Sequence, residues 1–221
     1  VLDKIRGASK GTTSIEKKEW GNEYMTTDVR IDLCFKVMGT KLPVDHGFAL
    51  YGALSRVLPF VHEHTGMGVK LIRGRYVGEG LLDIAPLSEL VLRIPAEHIA
   101  PFLGLAGKVL DIRGSRLSIG VPVTRALIPA SALHSPLVTT RNGNEQSRFE
   151  SELHRKMAEL DVHGNLDIGR RRTFTVHGKQ VVGYEVWVSK LTAEESIVIQ
   201  EEGLGGRRKM GCGFFEGMRD L

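Results

Sequence analysis

An α+β fold, built twice on one strand and helix order, is what this sequence predicts. Three observations carry it. Val29, Ile31, Leu33, Phe35 and Val37 alternate with polar residues at the period of a half-buried strand. A helix-period apolar face follows that strand, and the order β-α-β-β-α-β then recurs in the second half.

Residues 1–24 are polar and aperiodic and read as an extension or non-native segment, with Met25 as the natural start. The unit over 25–128 opens with the alternating strand. LPVDHGFALYGALSRVLP then places Leu50, Leu54, Val57 and Leu58 on one helical face, with Pro43 near its start and Pro59 at its end. Val69–Val77 and Leu87–Ile94 read as two strands. A helix from about Ala96 has Ile99, Phe102, Leu103 and Ala106 on one side, interrupted by Pro101, and Arg116–Arg125 closes the unit as a strand. In the unit over 129–221, Leu137–Thr140 predicts a short strand and Gln146–Leu160 a helix with Phe149, Leu153, Met157 and Leu160 inward. Two strands flank HGKQ at 177–180. Thr192 and Glu195 form the T-x-x-E pattern of a capping box at a helix start, and Met210–Phe215 supplies the last strand. Each half matches the ferredoxin-like unit, an antiparallel sheet with helices on one face. Two such units side by side leave a cleft and an open sheet face, and fold alone does not give function.

The hydrophobic content of 42% suffices for a core, and no apolar stretch approaches the roughly 20 residues of a membrane-spanning helix. No membrane partner is expected. Two cysteines, Cys34 and Cys212, are too few for a disulfide framework or a zinc site; with no leader segment in view they predict a reducing, cytoplasmic setting. The net charge of +4 points only weakly to a polyanion, but its placement says more: Arg73 with Arg75, Arg170–Arg172 and Arg207–Lys209 form separate basic clusters, two of them beside glycines.

The run GLGGRRKMGCG at 203–213 holds five glycines and three cations. A phosphate-binding Walker loop needs Lys and Ser/Thr after its second glycine, and a dinucleotide fingerprint needs a third glycine where an arginine stands; neither fits. A plain helix-to-strand turn accounts for one or two glycines rather than five, each of which loses conformational freedom on folding. The remaining reading is a loop whose bare main chain at Gly203, Gly205, Gly206, Gly211 and Gly213 and whose Arg207, Arg208 and Lys209 lie along a phosphate chain.

That run resembles the C-terminal glycine-rich loop of the CRISPR-associated repeat-processing endoribonucleases of the RAMP superfamily. Gly203, Leu204, Gly205, Gly211 and Gly213 match its G-x-G-x-x-x-x-x-G-x-G pattern, with the basic residues in the insert. LPVDHGFALYGALSRVLP is similar to the first helix of one subgroup, and GRRRT, VVGYEV and IQEEG are similar to parts of their second half. The resemblance implies a double ferredoxin-like fold and metal-independent, cofactor-free cleavage of precursor CRISPR RNA within its repeat. It implies repeat RNA as the partner, with other effector-complex subunits as further partners.

RNA carries its own nucleophile. A 2′-hydroxyl attacking the adjacent phosphate leaves a 2′,3′-cyclic phosphate, so the protein need only position the strand, move protons and stabilise charge. Eight histidines are available. His46 sits in the first turn of the first helix, where the helix N-terminus favours its neutral form; the competing reading is a capping or core-edge histidine. His62, in VHEH, is the rival, because several of the resembled proteins carry their histidine in a comparable context after this helix. His64 is a lesser candidate, and His62 with His64 lacks the further ligands of a metal site beyond Glu63. Tyr51 on the same helix orients or stacks on a base, or packs in the core. Lys70, in GMGVK, is placed by the resemblance at the scissile phosphate, and Arg170, Arg171 and Arg172 against the repeat, where guanidinium forks suit phosphates. The alternative outside catalysis is an RNA-binding RAMP subunit that keeps the arginines and needs no histidine; a small-molecule enzyme on the same fold would need an enclosed apolar pocket.

Overall fold

The computed structural model describes residues 29–218, so the expectation for 1–24 lies outside the described residues. Strand β1 (Arg30–Met38) forms where alternation predicted it, with Leu33, Phe35 and Val37 buried and Lys36 and Met38 exposed. After β2 (Lys41–Pro43) comes helix α1 (Gly47–Val57), which buries Leu50, Ala53 and Leu54 against the first sheet. A single turn over Pro59–His62 ends this passage.

The expected strand at Val69–Val77 is two strands, β3 (Gly68–Val69) and β4 (Gly74–Gly78). The chain breaks between them because Ile72 turns inward and is buried, while β4 leaves to pair with β5 (Leu81–Ile84) in a small sheet of order β2-β5-β4. β6 (Glu89–Pro95) follows. Residues 96–105 are a helical run whose regular part is α2 (Ile99–Phe102), with Pro101 inside it and Phe102 fully buried. A hairpin of β7 (Val109–Ile112) and β8 (Ser115–Ala126) closes the first half. The β7 strand was not anticipated.

The second half begins with β9 (Ala132–Val138), earlier and longer than the predicted Leu137–Thr140. Helix α3 (Gln146–Glu159) turns Phe149, Leu153 and Met157 inward. The long hairpin of β10 (Asn165–Val176) and β11 (Lys179–Ser189) follows, then α4 (Ala193–Glu202). Thr192 caps α4 as expected: its hydroxyl accepts from Glu195 N–H at 3.2 Å, and Glu195 accepts from Thr192 N–H at 2.8 Å. The last strand is not Met210–Phe215 but β12, two residues at Glu216–Gly217. Positive φ at Gly211 and Gly213 coils the preceding segment, so it cannot run extended.

The two main sheets show one arrangement twice. The first has order β3-β6-β1-β8-β7 and the second β10-β11-β9-β12, antiparallel at every pairing. With β7 set aside, each reads second, third, first, fourth strand of its half, the ferredoxin-like order, so the tandem α+β architecture is present. Arg93 is one of the side chains that join the halves. It is 1% exposed and forks onto Asp32 at 2.7 and 2.9 Å. Its remaining nitrogen donates to the carbonyls of Gln200 and Phe215, and its guanidinium lies 4.0 Å over the Phe214 ring. No helix among the described residues is long and apolar enough to cross a membrane.

Candidate RNA-cleavage site

Helix α1 has a histidine at each end, in opposite surroundings. His46, just before its first turn, is 2% exposed. Its Nδ1 faces the carbonyls of Pro43 (2.8 Å) and Val44 (3.1 Å), which only accept, so Nδ1 carries the proton. Its Nε2 therefore accepts, from Ile72 N–H at 3.1 Å. Both nitrogens are committed, and burial holds the ring below the ordinary imidazole pKa. In this arrangement His46 closes a backbone junction.

His62 lies past the other end and is exposed. Its Nδ1 is 2.9 Å from the hydroxyl of Tyr51, whose ring meets it edge-on at 5.5 Å between centroids. No partner engages Nε2 among the described residues. The glycine-rich loop reaches the same place: Lys209 Nζ donates to the carbonyls of Val61 and His62, both at 2.8 Å. An ammonium has three donors, so one remains for a ligand. Tyr51 and His62 thus stand together with Lys209, while Lys70 stands apart from them.

Lys70 is paired with Glu216 at 2.5 Å, and Arg73 holds the other oxygen of that carboxylate at 2.8 Å. These groups line a cleft of about 480 Å³ between the halves, with His46, His134 and Arg172 also on its walls. Beside it, a cavity of about 390 Å³ combines the apolar Leu71, Leu137 and Phe174 with Arg171 and Arg172. Arg170, Arg171 and Arg172 are exposed on β10; Arg170 and Arg172 approach Glu185 at 3.4 and 3.8 Å. Glu185 is 6% exposed and accepts from His134 Nε2 or pairs with it at 3.0 Å.

The glycine-rich loop corrects the expectation of three outward cations. Arg207 alone points outward; it is exposed and sits at φ +59°. Arg208 turns in, donates to the Glu201 carbonyl at 2.6 Å, and has its pKa pushed down to about 10 by burial and then by Arg30 and Arg93. Lys209, as above, grips the first half, and burial lowers its pKa. The glycines divide the same way. Gly203, Gly211 and Gly213 are buried, whereas Gly205 and Gly206 are exposed. Neither Gly203 nor Gly213 has room for a side chain: a Cβ on Gly203 would lie 2.5 Å from the Gly213 carbonyl oxygen, one on Gly213 would collide with the Leu204 carbonyl oxygen, and both have positive φ. Gly206 and Arg207 border a polar groove of about 400 Å³ with Arg141, Asn144 and Gln180 on its other side.

Sequence reading sets His134 aside as a surface or turn histidine and misses Arg141, Glu185 and Glu216. Nothing marks these three in one dimension, since single polar residues in turns and strands are ordinary there. Of the remaining histidines, His64 Nε2 lies 3.1 Å from His98 Nδ1, and burial and then His98 lower its pKa. His177 packs its ring on Phe48 at 4.6 Å. Both cysteines are buried free thiols with pKa raised by burial, to about 11 for Cys34 and about 12 for Cys212, which removes them as nucleophiles.

The Cas6 Crispr family model matches residues 31–220. The CRISPR-associated endonuclease Cas6 of Myxococcus xanthus strain DK1622 is 40% identical over 203 residues, spanning 89% of this chain and 83% of that relative. Two solved structures share the fold. One, from a Cas6-related gene of Pyrococcus furiosus, has a TM-score of 0.63 at 12% identity over 87% of this chain and 100% of its own. The other, described as an RAMP protein binding different RNA substrates, has a TM-score of 0.61 at 12% identity over 86% and 100%.

Proposed function

The chain belongs to the Cas6 family of CRISPR-associated proteins, and from that premise we propose that it cleaves precursor CRISPR RNA within its repeat, without metal, at Tyr51, His62 and Lys209. The observation that carries the assignment is the 2.9 Å hydrogen bond between the Tyr51 hydroxyl and His62 Nδ1, on an exposed ring whose Nε2 has no partner among the described residues. When Nδ1–H donates to the Tyr51 oxygen, Nε2 holds a lone pair outward and is competent as a base.

In the reaction Nε2 takes the proton of the 2′-hydroxyl while that oxygen bonds to phosphorus. The 5′-oxygen leaves with a proton from water, giving a 2′,3′-cyclic phosphate and a 5′-hydroxyl end. The third donor of Lys209 serves a non-bridging oxygen as charge builds on it. This gives Lys209 the part first expected of Lys70. Its two carbonyl contacts fix the ammonium beside His62 with little reorganisation left to make. Arg207, Arg141 and the bare main chain of Gly206 hold the phosphate chain on the neighbouring groove, and Arg171 and Arg172 contact it on the side of β10.

The test uses repeat RNA with a single 2′-deoxy residue at the cut beside the all-ribose RNA, each with and without EDTA. Cleavage of the all-ribose RNA alone, undiminished by EDTA and ending in a cyclic phosphate, is expected. Binding without cleavage would assign the chain to the non-catalytic RNA-binding class; loss of cleavage in EDTA would remove the metal-free mechanism.

A further inference from the structure

The stretch IQEEG at 199–203 takes no part in the proposed reaction, yet it closes α4 beside the first half. Gln200 serves the junction of the halves: its carbonyl accepts from Arg93 and its amide donates to the Ile128 carbonyl, both at 2.9 Å. The two glutamates serve Arg30. Glu201 accepts from the Arg30 N–H at 3.3 Å, and Glu202 accepts from one terminal nitrogen of the Arg30 guanidinium at 3.1 Å. The other terminal nitrogen donates to the Gly66 carbonyl. A guanidinium is a rigid planar fork, so the carboxylate that holds one nitrogen aims the other. Gly66 accommodates it: a Cβ there would lie 2.9 Å from Arg30 Nη1, and its φ is +74°.

Gly66 ends the passage that begins at His62. Lys209 takes the Val61 and His62 carbonyls at its start. In its middle the His64 ring packs against Phe60 and Phe102 and meets His98 at 3.1 Å. Arg30 takes its end. The outer two holds come from the second half, Lys209 directly and Glu202 through Arg30. His62 itself is exposed, so no core wall fixes its ring, and a backbone shift of about 1 Å would carry its 2.9 Å bond with Tyr51 beyond hydrogen-bonding length.

We propose that Glu202 is a positioning residue for His62: by aiming Arg30 at the Gly66 carbonyl it sets one end of passage 62–66, while Lys209 sets the other, and together they fix where the imidazole meets Tyr51. The proposal rests on the reading of His62 as the base. It gives the second half a part in cleavage separate from any grip on the RNA. The Glu202 side chain is 45% exposed, so water screens its pair with Arg30, and its removal should lower the melting temperature by no more than about 4 °C. What it supplies is direction rather than stability.

The test is Glu202→Ala in the full chain, read in two ways. Single-turnover cleavage of repeat RNA should slow about 5- to 20-fold while affinity for the uncleavable 2′-deoxy RNA stays within about 2-fold, because a misplaced base costs rate rather than binding. The ring-nitrogen resonances of His62, identified by their loss in His62→Ala, should move from the Nδ1–H tautomer towards the pattern of a free imidazole. Glu202→Gln, whose amide oxygen still accepts from the guanidinium, should recover most of the rate and the parent resonances. Unchanged His62 resonances in Glu202→Ala overturn the proposal, whatever the rate. Changed resonances at the parent rate keep the hold of Glu202 on the ring and remove His62 as the base, so the two failures are told apart. If Glu202→Ala melts far below the parent, Gly66→Ala decides by the same two readings, since it disturbs the Arg30 contact from the other side.

Discussion

The two ends of α1 present the same side chain under opposite constraints. His46 is enclosed, its tautomer dictated by two carbonyls and its second nitrogen spent on Ile72 N–H. His62 is in solvent, oriented through one nitrogen by Tyr51, with the other unengaged among the described residues. The difference teaches that a histidine in the expected region is not thereby a base: a general base needs a lone pair that substrate can reach. The glycine-rich loop repeats the lesson with arginine, where Arg208 is internal and Arg207 external.

The largest effect that tests this contrast is on the chemical step. His62→Ala should slow repeat cleavage by about 10²- to 10⁴-fold, the range of general acid-base groups, while affinity for uncleavable repeat RNA stays within about 2-fold and the melting temperature is unchanged. Single-turnover kinetics beside a binding titration reads both. A variant that cuts at the parent rate would break the comparison at its stronger end.

His46→Ala should do the reverse. It leaves Ile72 N–H and two carbonyls without partners in the interior, a cost of about 2–3 kcal/mol, or a melting point lower by about 5–10 °C, with cleavage per folded molecule within a few-fold of the parent. The pH dependence follows from the same burial. The folded-state pKa of His46 lies below its ordinary value of 6.5, so below about pH 6.5 the unfolded chain binds a proton that the folded chain refuses. Stability is therefore fully present above that pH and falls as pH drops towards the folded-state value. His64 shifts in the same direction and adds to the loss. Denaturant midpoints from pH 7 down to 5 should fall more steeply for the parent than for His46→Ala; equal slopes would mean that His46 protonates freely and is not enclosed.

Tyr51→Phe comes next. Deleting one orienting hydrogen bond worth about 1 kcal/mol predicts roughly 5- to 10-fold slower cleavage, with no change in affinity. A loss as large as that of His62→Ala would give the tyrosine a proton-transfer role of its own.

Most of the scaffold was legible because it rests on periodicity. β1, α1, α3 and the β10–β11 hairpin follow from alternation, helical spacing and a Gly178 turn, and the capping box at Thr192 from four residues of text. The last strand was misread because the apolar residues of 210–215 are buried by coiling rather than by extension: Cys212 and Phe215 are fully enclosed, yet Gly211 and Gly213 have positive φ. At the site, His62 and Tyr51 were among the candidates, but the choice between His46 and His62 depends on whether Pro43, Val44 and Ile72 close around a ring, a three-dimensional fact. The position of Lys209 was equally hidden, since it lies 147 positions along the chain from the His62 carbonyl it grips. Arg93 carried no signal at all, being one arginine in an apolar strand.

The smallest effect separates the two loop arginines. Arg207→Ala removes one exposed cation beside the polar groove and should lower the salt slope of repeat-RNA binding by about 0.7, with an affinity loss of a few-fold near physiological salt. Arg208→Met should leave the slope where it is, because that guanidinium faces Glu201, Arg30 and Arg93 rather than solvent. Its stability should also hold within about 1 kcal/mol: a buried cation repelled by two others contributes little that a flexible apolar chain of similar length does not replace. If Arg208→Met flattened the slope as much as Arg207→Ala, Arg208 would have to leave its carbonyl for the RNA. The inner half of the loop would then have to open on binding, and the division between internal and external cations would hold only for the free protein.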